Sequence, residues 1–264
     1  MKIGLSSWSF PWAITAGATL YDLAETSARL GAEVFQIADN SGFLTQDKGA
    51  QIDILRHFSK CGLEVELGAN ELSKSVLRPL IELCARQNVK LLRTLPHKGG
   101  GKMTFSEAEN TLKKLEPQLR ETGVVLGIEN HDFYKSEWLK ELMKSVGSPN
   151  VGICFDAANN FGQGESFYEV FENLKDYTVN FHCKDFVIRR KKSKLGFEVS
   201  GCAAGDGMLD FSLAKQKFGE VSWIVELWTD EENELGATVK TEYERAKRSV
   251  EFLKKFREEN FSNT

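Results

Sequence analysis

The 264-residue chain is poor in the features that mark several common classes of protein. Its five cysteines, Cys61, Cys84, Cys154, Cys183 and Cys202, are odd in number and lack C-x-x-C spacing. Neither a disulfide framework nor a zinc-cysteine site is indicated, and the thiols read as buried groups of a reducing compartment. Positive charge is not in excess: 34 Lys and Arg stand against 38 Asp and Glu, for a net charge of -4. Such a balance speaks against a surface built to hold nucleic acid. No apolar run approaches the length that crosses a bilayer. The opening MKIGLSSWSF enters a strand-like segment without the charged and apolar regions of a signal peptide. The expectation is a soluble, cytoplasmic protein. The first strand is not followed by G-x-G-x-x-G, and Gly205-x-Gly207, trailed by Met, Leu and Asp, reads as a tight turn before a helix. No linker, composition shift or low-complexity segment divides the chain.

What the chain does have is a regular beat of short apolar runs and helical spacing. Strand-like segments fall at 2–7, 33–37, 63–67, 89–95, 124–129, 151–156, a run ending at His182, and 221–227. Helical spacing falls at 19–30, 51–61, 73–86, 106–121, 136–146, near 166–174, near 210–217 and through 243–256. Residues 8–18 read as a loop, and Ser106 with Glu109 three residues later reads as a capping box. Strands alternating with helices must lie parallel with right-handed crossovers. Eight such units in about 250 residues are the arithmetic of an α/β fold of the (β/α)8 TIM barrel type. The expectation is a single domain over 1–264 with an inserted loop at about 186–207, and an open doubly wound sheet is the alternative.

Four successive strand-like runs close on polar groups of one chemical type. VVLGIEN ends at Glu129 and Asn130, VGICFD at Asp156, VNFHCKD at His182, Lys184 and Asp185, and WIVELW carries Glu226. In a barrel these residues share the rim at the carboxyl ends of the strands, where active sites lie. A single polar residue there is usually a helix cap or loop anchor. Three carboxylates buried together without a cation are costly, because like charges in a low dielectric force protonation. Glu129, Asp156, His182 and Glu226 therefore read as ligands of one divalent metal ion, such as Mn2+, Mg2+, Co2+ or Zn2+.

Such an ion polarises a carbonyl and stabilises the enediolate formed when a neighbouring C-H or C-C bond breaks. Glu129 and Glu226 are placed to act as base and acid. Lys184, two residues past the ligand and on the same face in a strand, is the best candidate for a substrate carboxylate or hydroxyl, with Arg189 next. Lys191, Lys192 and Lys194 read as a solvated loop or subunit contact. His131 is placed to orient substrate or relay a proton, and His97 faces the same choice, each against a plain loop role. The glycines of LPHKGGGK hug an anion or simply form a flexible loop. Trp8, Phe10 and Trp12 wall a pocket or pack a partner subunit.

The peptides GIENHD, GICFDAANNFGQGE, VNFHCKDF and VELW resemble those of the xylose isomerase-like TIM barrels. That family includes sugar and sugar phosphate isomerases and epimerases, inosose dehydratase, and the second family of apurinic-site endonucleases. The resemblance spans nearly the whole chain and implies that Glu129, Asp156, His182 and Glu226 bind one divalent metal. More narrowly, the stretch from Lys184 to Phe211 is similar to the Lys-Asp-Phe-x-Ile-x-Arg... Gly-Phe-x-Val-x-Gly... Gly-x-Gly-x-x-Asp pattern of a subgroup similar to 3-oxoisoapionate decarboxylase. The chain departs from ketose 3-epimerases at two substrate-binding positions: their His is Asn159 here, and their Arg falls on Ile188, beside Arg189.

The resemblance implies a metal-dependent isomerase or epimerase acting on a small keto sugar or sugar acid. The alternative is decarboxylation of a 3-oxo sugar acid. Apurinic-site endonucleases use several metals and many histidines, and this chain has four histidines. A non-catalytic sugar-binding barrel is the remaining rival. The expected partner is a sugar or sugar acid, with no nucleic acid and no membrane; a homo-oligomer is allowed, and the sequence does not set the oligomeric state.

Overall fold

The apolar runs pair edge to edge in the computed structural model, which describes residues 1–259. They form β1 (Lys2–Ser6), β2 (Val34–Ile37), β3 (Glu64–Gly68), β4 (Leu91–Thr94), β5 (Val125–Glu129), β6 (Val151–Asp156), β7 (Thr178–Cys183) and β8 (Ser222–Val225). Each strand lies parallel to its neighbour in chain order. β8 closes onto β1, with Ile3 opposite Trp223 and Leu5 opposite Val225. The result is a single-domain (β/α)8 TIM barrel, as the alternation predicts.

The period of two along each strand sorts side chains between two environments. From β6, β7 and β8, Phe155, Phe181 and Trp223 join the core beneath the helices, with Phe181 5.8 Å from Phe155 and 4.9 Å from Trp223 between ring centroids. Burial of each such side chain contributes about 1.5–3 kcal/mol. The alternate residues of the same strands, Asp156, Asn180, His182 and Ser222, make polar contacts with other strands and with the loops at their carboxyl ends. Sequence alternation thus builds a greasy shell around a polar shaft.

The outer helices are α1 (Pro11–Thr15), α2 (Leu20–Leu30), α3 (Lys48–Lys60), α4 (Lys74–Arg86), α5 (Phe105–Thr122), α6 (Ser136–Val146), α7 (Phe167–Leu174), α8 (Phe211–Phe218) and α9 (Leu235–Glu259). Three sequence expectations change. The 8–18 loop contains the short helix α1, whose first residue is proline and whose next N–H groups are capped from afar by Glu242. The capping box of α5 is Thr104 with Glu107 rather than Ser106 with Glu109, because the helix begins at Phe105 and its cap lies two residues before Ser106. Glu109 instead pairs with Lys113 at 2.7 Å. The 186–207 insertion is no plain loop: Phe186–Arg190 and Phe197–Gly201 form an antiparallel ribbon. All five cysteines are free thiols. Among the described residues no helix is long and apolar enough to cross a membrane.

Candidate metal centre

Strand register delivers four side chains to one point. His182 lies directly opposite Asp156 across the β6–β7 ladder and opposite Ile224 of β8, so Glu226 stands two residues further toward the carboxyl end. Glu129, the last residue of β5, pairs with Cys154, two residues before Asp156. Glu129, Asp156, His182 and Glu226 each offer a ligand atom, and these atoms all lie within 4.8 Å of one another. All four residues are buried.

The imidazole is aimed by a relay through the barrel. The Glu66 carboxylate accepts hydrogen bonds from Gln36 Nε2 at 3.0 Å, Asn180 Nδ2 at 3.0 Å and Ser222 Oγ. This orients the Gln36 amide so that its oxygen faces His182 Nε2 at 2.9 Å. Nε2–H donates to that oxygen, which leaves Nδ1 as the lone-pair nitrogen. Nδ1 faces Glu226 Oε1 at 3.5 Å and Glu129 Oε1 and Asp156 Oδ2 at 3.8 Å each. Nδ1 has no hydrogen-bond partner among the described residues, and Asp156 Oδ2 is met by the Lys184 ammonium at 2.7 Å. An unpartnered buried imidazole nitrogen facing a ring of three carboxylates fits a divalent cation.

The charge count agrees with that fit. Three buried carboxylates face two fixed cations, Arg93 and Lys184. The Lys184 ammonium lies 2.7 Å from Asp156 Oδ2 and 3.0 Å from Glu226 Oε2. Arg93 donates through Nε to Glu129 Oε2 and through Nη1 to Asp39 Oδ1 at 3.0 Å. Burial works against ionisation of Asp156, yet Lys184 and His182 beside it hold its pKa well below the ordinary carboxylate range. Burial likewise opposes a charged Lys184, and Asp156 and Glu226 outweigh it, so the pKa rises. For His182, burial is opposed more strongly by Cys154 and the carboxylates of Glu226 and Glu129, so this nitrogen attracts either a proton or a cation. Cys154 also lies within ligand span of Glu129 and His182. Burial pushes its thiol up to about 11 and it donates to Asn180 Oδ1, which makes it a poor thiolate ligand.

A cavity of about 410 Å³ opens onto these groups, with Glu129, Lys184 and Glu226 in its wall. Of the candidates from sequence, Trp8, His97, His131 and Asn159 also line it. Asn159 is held by Nδ2 to Glu129 Oε1 at 2.9 Å and accepts from Lys184 Nζ at 3.3 Å. His97 packs edge-on to Phe133 at 4.1 Å, and its Nε2 has no hydrogen-bond partner among the described residues. His131 is tied to the adjacent Asp132 through Nδ1. The glycines between His97 and Lys102 form a tight two-strand turn, with Gly99 and Gly100 at φ of 58° and 75°, and Gly100 reaches the cavity wall. Lys184 arrives from just beyond β7, and its ammonium lies 5.2 Å from the Trp228 ring centroid. Arg189 stands apart: it is exposed on the outer ribbon, opposite Glu198, and is not in the cavity wall. The ribbon turns outward after Asp185 and carries it away.

Sequence reasoning missed Arg93, Asp39, Gln36 and Glu66. Arg93 and Gln36 had a signal, since each is a long polar residue inside an otherwise apolar strand run, LLRT and VFQI.

Comparison with known proteins follows the same line. The family described as xylose isomerase-like TIM barrel matches residues 28–256. The chain is 29% identical over 262 residues to the 3-oxo-isoapionate decarboxylase of Pectobacterium atrosepticum, covering 96% of this chain and 95% of that protein. Its fold is similar to D-psicose 3-epimerase from Clostridium cellulolyticum H10, solved with D-tagatose, at a TM-score of 0.69 and 14% identity over 96% of this chain and 98% of that one. It is also similar to a xylose isomerase-like TIM barrel protein from Mycobacterium smegmatis in complex with magnesium, at 0.68 and 12% over 95% and 97%.

Proposed function

Because this chain belongs to the xylose isomerase-like TIM barrel family, we propose that it is a divalent-metal-dependent decarboxylase of a small 3-oxo sugar acid. Glu129, Asp156, His182 and Glu226 hold the ion. When bound, the ion supplies Lewis acidity that draws electron density from the substrate's keto oxygen.

The observation that carries this choice is the state of Glu129. Its Oε2 accepts from Arg93 and its Oε1 from Asn159. A carboxylate already committed to a guanidinium and an amide is a poor partner in the two-base exchange that epimerisation needs. Decarboxylation asks for less. The C–C bond to the carboxylate breaks, CO2 leaves, and the bonding electrons pass into the keto group as an enolate, which one acid then protonates at carbon. Lys184 is that acid: its ammonium lies at the cavity wall, held by Asp156 and Glu226. His97 and Trp8 line the cavity and wall the sugar. The similarity to a 3-oxo-isoapionate decarboxylase over nearly the full length supports the same reading.

The second reading is isomerisation or epimerisation of a keto sugar, favoured by Glu129 and Glu226 approaching His182 Nδ1 together. Purified protein with Mn2+ is incubated with a 3-oxo sugar acid and, separately, with a panel of ketoses. Release of CO2 from the acid alone is the expected result. An epimeric ketose without CO2 release would replace the first reading with the second.

A further inference from the structure

The ribbon after β7 leaves an apolar surface facing outward. Its strands pair Ile188 with Val199 and Arg190 with Phe197, so by the period of two these four residues share one face with Phe186 and Gly201 at the base. The base is anchored: Phe186 stacks edge-on to Phe161 at 4.5 Å, and Arg245 Nη1 donates to the carbonyls of Gly201 and Trp228 at 3.1 and 3.0 Å. Beyond the base, among the described residues, the Arg190 guanidinium lies over the Phe197 ring at 4.7 Å and the rest of the face stands exposed. Ile188 is 42% exposed, Val199 44%, Phe197 59%, and Met208, whose sulfur accepts from Ile188 N, 59%. A two-stranded ribbon in water is marginal when its apolar side is bare, so this face calls for a partner.

Charge runs along the ribbon in a definite order. The tip carries Arg190, Lys191, Lys192 and Lys194, none of which pairs with a carboxylate among the described residues. The base adjoins Trp228, and from it leads an exposed acidic loop with Asp230 and Glu231. The order is acidic, apolar, basic. Two ribbons laid face to face and antiparallel about a twofold axis bring each basic tip to the other's acidic base, and such a surface is complementary to itself.

We propose that this ribbon face is a self-association surface, occupied by the same face of a second copy of the chain. Charge order selects a second copy over an unrelated partner, because one patch supplies both halves of the match.

The test is sedimentation velocity of the full chain at tens of micromolar. Wild type is expected to sediment as a dimer. Phe197→Glu, with Val199→Lys as a smaller second change, is expected to weaken dimerisation at least about tenfold, since Phe197 is the large exposed aromatic of the face and such side chains carry much of a contact. Both side chains are exposed in the protomer, and circular dichroism melting checks that the fold is kept. Reversing the base with Asp230→Lys and Glu231→Lys is expected to weaken the dimer at low ionic strength. Adding Lys191→Glu and Lys192→Glu restores it. A monomeric wild type overturns the proposal. So does a dimer indifferent to both apolar variants, or one that the double reversal fails to recover.

Discussion

His182 Nε2 lies 2.9 Å from the amide oxygen of Gln36, and that amide is in turn fixed by the Glu66 carboxylate at 3.0 Å. A ring whose one nitrogen is so engaged presents the other in a single orientation. Replacing Gln36 with Leu removes the acceptor and frees the ring to rotate or change tautomer. Loss of an outer hydrogen bond of this kind costs about 10–100-fold in metal affinity. Titration calorimetry with Mn2+ or Co2+ on wild type and Gln36→Leu measures it directly. Wild-type binding with an unchanged constant in the variant removes the role given to Gln36; no binding by wild type removes the metal itself.

Metal binding should also appear as stability. An ion that binds only the folded chain, at 100 times its dissociation constant, stabilises by about 2.7 kcal/mol, or roughly 5–10 °C in a domain of this size. Mn2+ is expected to raise the melting temperature of wild type by that order, and EDTA to reverse the rise. In Asp156→Asn and His182→Ala the ion should have no effect. A similar rise in either variant would place the ion elsewhere.

Much of this site was legible in the sequence because strand ends are marked twice, by the close of an apolar run and by the polar residue that follows. Glu129, Asp156, His182 and Glu226 are each marked in that way, and register brings them together. The groups that tune them were not legible to the same degree. Gln36, Glu66 and Arg93 meet their partners across the shaft, through contacts as distant in sequence as the 146 residues between Gln36 and His182. No local pattern encodes such a pairing. The ribbon was hidden for another reason: its basic composition reads as solvated loop, while its strand alternation exposes the apolar side instead of burying it.

Asp185, next to the candidate site, knits the end of the insertion. Its carboxylate accepts from the backbone N–H groups of Phe186, Gly205, Gly207 and Leu209 at 2.8, 2.9, 3.0 and 3.0 Å. A methyl group on Gly207 would collide with that carboxylate and with the Phe186 carbonyl, which is why glycine stands there. Asp185→Ala leaves four donors without their acceptor and is expected to cost roughly 2–4 kcal/mol. Gly207→Ala should cost about 1–3 kcal/mol through overpacking. Urea unfolding gives both figures, and hydrogen exchange should show faster amides at residues 205–209. Unchanged exchange there would mean the turn stands without the carboxylate.

Glu242 of α9 is fully buried and accepts from the N–H groups of Trp12 and Ala13, at 3.1 and 2.9 Å, at the start of α1. Burial raises its pKa from 4.5 to about 7, and the two backbone hydrogen bonds only partly oppose the rise. The sign follows from proton counting. Between about pH 4.5 and pH 7 the folded chain keeps a proton that the unfolded chain has released, so stability falls as pH rises through this window. The contribution is complete below about pH 4.5 and gone above about pH 7, with a size on the order of 2–3 kcal/mol. Glu242→Gln keeps one acceptor for α1 and cannot titrate. Unfolding free energies at about pH 5 and pH 8 should therefore differ more in wild type than in the variant, by that amount. Equal differences would mean that Glu242 is ionised in the folded chain throughout, and that the N-terminus of α1 holds its charge despite the burial.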